Sequence, residues 1–92
     1  MAVLDTDTIT RALEDLPGWE LDGASIRKEF RFDGFLEAVA FITRLAPLAE
    51  DANHHPELTN VYATVTVVLT THDQGGVTDK DLDLARAIEK VA

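Results

Sequence analysis

One run limits the folds open to this chain. From Val61 the odd positions Val61, Ala63, Val65, Val67 and Leu69 are apolar, while Asn60, Tyr62, Thr64, Thr66 and Thr70 are mostly polar. A period of two sends successive side chains to opposite faces, so the run reads as one long strand, dry on one side only. Such a strand needs partners and a cover. Ile26 to Phe32 is one partner, with Ile26, Lys28, Phe30 and Phe32 on one face and Arg27, Glu29 and Arg31 on the other. Trp19 to Leu21 is a shorter one, and Asp22-Gly23 between them is a hairpin turn signal.

Helical spacing supplies the cover. Ile9, Leu13 and Leu16, with Ala12 beside them, lie on one face behind the capping oxygens of Asp5, Thr6, Asp7 and Thr8; Pro17-Gly18 stops that helix. Asp33-Gly34 opens a long central helix. Phe35, Val39, Ile42 and Ala46 make its stripe, and Phe41, Leu45 and Leu48 widen it. Pro47 predicts a kink and not an end, because the apolar spacing continues to Leu48 and Ala52. Pro56 biases His55 away from helical angles, so the helix ends near there. After the loop Asp73-Gln74-Gly75-Gly76, Thr78 with Asp81 three residues on resembles a capping box, and Leu82, Ala85 and Ile88 form the last buried stripe. The order α-β-β-α-β-α, without a repeated βα unit, predicts an α+β fold: an antiparallel sheet with its helices packed on one face.

At 92 residues the chain is expected to be a single domain, residues 1–92, with one modest core. Its 17 acidic and 8 basic residues give a net charge of −9, which repels phosphate backbones and anionic lipid and argues against direct nucleic-acid or membrane binding. No cysteine is present, which excludes disulfides and thiolate chemistry. No apolar run approaches a membrane span, and the N-terminus lacks the layout of a signal peptide; a cytoplasmic protein is expected.

All three histidines fall in two places: Glu50-Asp51-Ala52-Asn53-His54-His55-Pro56, and Thr71-His72 at the end of the alternating run. Histidine is the side chain whose unperturbed pKa lies near neutrality. Three readings stay open. The histidines could simply occupy an exposed junction. They could hold zinc, although the His-Glu-x-x-His spacing is absent and adjacent ligands are awkward. Or they could act as general acid and base across a small cleft. Glu50, one turn before His54, could orient that ring, or could be a solvated helix face. Trp19 is either core or a flat platform for a fused heterocycle, and Tyr62 is ambiguous in the same way.

The residues resemble those of the pterin-4a-carbinolamine dehydratase family over nearly the whole chain. The likeness rests on Glu50-x-x-x-His54-His55-Pro56, Asn60-Val61-Tyr62, Thr71-His72 and Gly76-x-Thr78-x-x-Asp81. Gly18-Trp19, Phe30-x-Phe32 and Phe41-x-Thr43-Arg44 also fit. The resemblance implies a four-stranded antiparallel sheet with three helices on one side, and a hairpin near Tyr62 to Thr64 where alternation alone reads one strand. It implies loss of water from a 4a-hydroxytetrahydropterin to give the quinonoid dihydropterin, without metal, redox cofactor or covalent nucleophile. By resemblance His54 and His72 do acid–base work at the leaving hydroxyl, and His55 binds substrate or assists as a base. Glu50, Asn53, Thr70, Thr71 and Asp73 would surround the pterin and Trp19 would border the pocket. Many members carry an acid where this chain has Asn53 and a bulky aromatic where it has Leu58. The resemblance also implies a homodimer or homotetramer. Its alternative is a protein-binding module, a transcriptional coactivator or assembly factor, since the family includes members that act by binding proteins.

Overall fold

Asp5 opens the first helix, α1 (Thr6–Leu13), by accepting the Thr8 backbone N–H at 2.8 Å. That bond, with help from the Thr8 hydroxyl, holds the Asp5 carboxyl below the usual carboxylate range. The computed structural model describes residues 2–92. Beyond α1 come β1 (Glu20–Asp22), β2 (Ser25–Arg31), α2 (Phe35–Ala52), β3 (Glu57–Val61), β4 (Thr64–Leu69) and α3 (Asp79–Glu89). The strands form one antiparallel sheet in the order β1-β2-β4-β3, so β1 and β3 are its edges.

The expected fold class is found, with one element more than strand alternation predicts. The run from Val61 to Leu69 is not one strand. Val61 closes β3, Tyr62 and Ala63 turn, and Thr64 opens β4 opposite Val61. Tyr62 takes the left-handed conformation, φ 51°, without a glycine to signal it. The two-residue turn also inverts the parity of the pattern. Val65, Val67 and Leu69 are buried, whereas Val61 pairs with Thr64 and is exposed. The hairpin implied by the family resemblance is the arrangement found.

On β2 the inward face is the expected one. Ile26 and Phe30 are buried, and Phe30 and Phe32 lie 4.7 and 5.0 Å from the ring of Phe41 on α2. Such aromatic pairs contribute about 0.5–1.5 kcal/mol each beyond area burial. Lys28 shares this face and is held rather than solvated: its ammonium donates to Glu89 at 2.5 Å and to the Pro17 carbonyl at 2.8 Å. Gly18 lets Lys28 pass. Its φ is +89°, and a Cβ there would meet Lys28 Cε at 2.8 Å.

Helix α2 runs through Pro47 to Ala52 as expected, and Phe41 and Leu45 of the expected face are buried, but the stripe they were to widen is not. Ala38, Phe41, Leu45 and Ala49 face the sheet, while Phe35, Val39 and Ala46 are exposed and Ile42 is half-buried. The helix is apolar nearly all round, so spacing alone could not choose between two faces with the same period. Leu36 is 78% exposed and extends the outward face.

Candidate functional site

Helix α2 ends in a way that separates the two adjacent histidines. Asn53 takes the left-handed conformation, φ 49°, which asparagine tolerates better than most residues. The His54 N–H then donates to the Ala49 carbonyl and the Asn53 N–H to that of Glu50, the paired bonds of a Schellman motif. His54 turns inward and is 9% exposed, whereas His55 stays outside. Asn53 itself is exposed; its visible role is this backbone turn.

His54 Nε2 lies 2.5 Å from Asp81 Oδ1. Asp81 is fully buried at the start of α3, where it completes the capping box with Thr78. Its other oxygen, Oδ2, accepts the Thr71 hydroxyl and the Thr78 N–H, each at 2.9 Å. Thr71 and Thr78 hydroxyls are 2.8 Å apart. A buried polar network of this kind is stable only when every member is paired, and here each is.

Of the two readings of Glu50, the exposed helix face is the one found; Glu50 does not orient His54. The turn at Asn53 carries His54 away from the outer face of α2, and Glu50 Oε1 meets His55 Nε2 instead, at 2.8 Å. Both partners of that second pair are exposed. His54 is a buried histidine paired with a buried carboxylate.

The remaining residues divide. His72 and Asp73 are exposed on the tight turn after β4, closed by paired bonds between Thr71 and Gly76. Thr71, next to His72, shares Asp81 with His54, which ties the two segments together. β3 begins opposite the end of β4, so His54, His55, His72 and Asp73 lie at one end of the sheet. The Thr70 hydroxyl is engaged with the Ala24 carbonyl at 2.6 Å. Trp19 is not brought to this end within the chain. It is 5% exposed, packs edge-on against Phe30, and donates its indole N–H to Glu89 at 2.8 Å. Glu89 is eight residues, about 12 Å of helix, from Asp81. Beside His55 an open groove of about 670 Å³ runs between α2 and β3, lined by Ile42, Ala46, Pro47, Pro56 and Leu58; His54 and His72 do not line it. Among the described residues no three acidic or histidine side chains are grouped as a metal site would need.

Asp81 and Thr78 are the site residues that the sequence reading missed. Thr78-x-x-Asp81 was visible as a helix start, but nothing local showed that the same carboxylate reaches a histidine 27 positions away.

Fold and site together define a two-layer α+β protein with a buried histidine–carboxylate pair at one end of its sheet. The chain belongs to the pterin 4 alpha carbinolamine dehydratase family, whose model matches residues 2–91. A protein of Prochlorococcus marinus strain MIT 9303, named by inference as a pterin-4-alpha-carbinolamine dehydratase, is 52% identical over 86 residues, covering 94% of this chain and 90% of that one. One from Thermomicrobium roseum, named in the same way, is 46% identical and covers 100% of this chain and 99% of its own. The crystal structure of a transcriptional coactivator/pterin dehydratase from Brucella melitensis superposes with a TM-score of 0.92 at 38% identity, over 98% of both chains. A pterin dehydratase-like protein described as a RuBisCO assembly factor in the alpha-carboxysome shares the fold, with a TM-score of 0.66 at 20% identity over 80% of this chain and 86% of that one. The family and these names support pterin-4a-carbinolamine dehydratase activity at the family level.

Proposed function

We propose that this protein dehydrates 4a-hydroxytetrahydropterin to the quinonoid dihydropterin by histidine general acid–base catalysis, as a single domain of residues 1–92 working in pterin recycling in the cytoplasm. The observation that carries the reading is the buried His54–Asp81 pair, tied through Thr71 to the turn that presents His72. Dehydration needs a proton delivered to the C4a hydroxyl, so that it leaves as water, and a proton removed from N5, so that the C4a–N5 double bond forms. Two imidazoles, one charged and one neutral, can serve both ends near neutral pH, each contributing roughly 10²–10⁴-fold. His55, steadied by Glu50, flanks the same end and is the third candidate. Asn53 and Asp73 are exposed there and available to the polar edge of the pterin, while the Thr70 and Thr71 hydroxyls act on protein partners.

The chemistry requires no metal, no redox cofactor and no cysteine. The test is stopped-flow absorbance on a synthetic 4a-hydroxytetrahydropterin with the pure protein, with and without EDTA. The expected result is acceleration that the chelator leaves unchanged. Loss of activity in EDTA with recovery on adding zinc would refute the metal-free mechanism.

A homo-oligomer is part of the proposal, since β1 and β3 are open edges and Phe35, Leu36 and Val39 are exposed on α2. The same exposed helix face favours a second reading, a protein-binding role such as the one the name transcriptional coactivator gives the Brucella relative. Absence of any pterin turnover would favour that role.

A further inference from the structure

The hydroxyl network behind His54 has only one consistent direction. Thr78 is fully buried, and its hydroxyl oxygen meets the Lys80 N–H at 3.3 Å, the Asp81 N–H of the capping box and Thr71 Oγ1 at 2.8 Å. A backbone N–H can only donate, so the Thr78 hydrogen has one acceptor, Thr71 Oγ1. The Thr71 hydrogen then goes to Asp81 Oδ2, which also accepts the Thr78 N–H. Oδ2 therefore faces two donors and carries no proton. With Oδ2 filled by donors, Oδ1 is the oxygen left to meet His54 Nε2, and one proton lies between them. The other ring nitrogen has no protein partner, yet no fully buried side-chain nitrogen or oxygen in the described residues lacks one, so Nδ1 reaches the surface.

We infer that Thr78 and Thr71, acting through Asp81, hold the His54 proton on Nε2 and make Nδ1 the atom that accepts the N5 proton of the pterin. The inference rests on the dehydratase reading and assigns a direction to it. The N5 lone pair forms the C4a–N5 double bond. The hydroxyl leaves C4a with its bonding pair and takes a proton from a second imidazolium, that of His72 or His55, to depart as water. The N5 proton passes to Nδ1, and the resulting His54 imidazolium is stabilised by the Asp81 carboxylate. The two imidazoles then restore their protons through solvent. Thr71 and Thr78 touch no substrate here; they are positioning residues.

The experiment combines ¹⁵N NMR of the histidine rings with kinetics of two variants at Thr71. In the folded wild type at mildly alkaline pH, His54 should show a pyridine-type Nδ1 and a pyrrole-type Nε2. Thr71→Val keeps the shape and removes the hydroxyl. It should lower kcat about tenfold or more, the loss of one hydrogen bond to a charged group, with KM little changed and the His54 signals shifted. Thr71→Ser restores the hydroxyl and should restore both readouts. A wild-type His54 protonated on Nδ1 would overturn the inference whatever the variants do, including a Val variant that fails to fold. Equal kcat in the Val and Ser variants with unmoved ring signals would overturn the role of the threonines. Absence of turnover in the wild type, with the ring proton on Nε2, would refute the dehydratase reading and the acceptor role but leave the proton placement standing.

Discussion

Replacing His54 by alanine should destabilise this protein as well as inactivate it, and the structure gives the size of the effect. The substitution removes the ring that meets Asp81 at 2.5 Å and leaves a carboxylate with no solvent exposure short of one partner. Leaving a buried acid short of one strong hydrogen bond costs about 1.5–3 kcal/mol. Asp81 keeps its two donors on Oδ2, and the packing lost with the ring brings the total to the upper end, about 3 kcal/mol. A domain of this size loses about 4–8 °C of melting temperature per kcal/mol, so the fall should be about 12–24 °C. Total stability of small domains is about 5–15 kcal/mol, so the variant should still fold at low temperature. The assay is thermal unfolding by circular dichroism, with urea titration for the free energy. The double variant His54→Ala/Asp81→Asn should lose less than the sum of the singles by about 1 kcal/mol or more, since the stranded acid has gone. A His54→Ala melting temperature within two or three degrees of wild type would refute the pairing.

Two further outcomes are expected. Trp19→Phe should lower the melting temperature, by losing the indole bond to Glu89, while leaving the affinity for an oxidised pterin unchanged; a fluorescence or calorimetric titration showing weaker binding at unchanged stability would instead bring Trp19 into the site. Light scattering at micromolar concentration should show a mass above the 10.1 kDa of one chain, and Leu36→Asp should reduce it if the outward face of α2 is the contact; a single 10.1 kDa species in the wild type would count against self-association.

Much of the fold was legible because its signals are local. The capping residues Asp5 and Thr78, the Asp22-Gly23 turn and the inward face of β2 each act within a few residues of themselves. What escaped the pattern depends on choices that tertiary structure makes. Tyr62 adopts a left-handed conformation that carries no glycine signature, so a hairpin looked like a strand, and Val61 looked buried because parity flips across a two-residue turn. The two apolar faces of α2 are equally spaced, and only the sheet decides which is covered. At the site, the concentration of histidines at two junctions was visible, but the pairing of His54 with Asp81 bridges 27 positions and leaves no periodic trace.

The most direct test of the account is the turnover of His72→Ala beside wild type, followed by stopped-flow absorbance on 4a-hydroxytetrahydropterin. His72 is exposed and has no side-chain hydrogen-bond partner among the described residues, so its loss should change stability by no more than about 0.5 kcal/mol. Any loss of rate in a protein with an unchanged melting curve therefore reports chemistry and not folding. The account predicts that wild type accelerates dehydration well above buffer and that His72→Ala is slower by about 10²-fold or more. Near-normal turnover by the folded variant would contradict acid–base catalysis by this histidine.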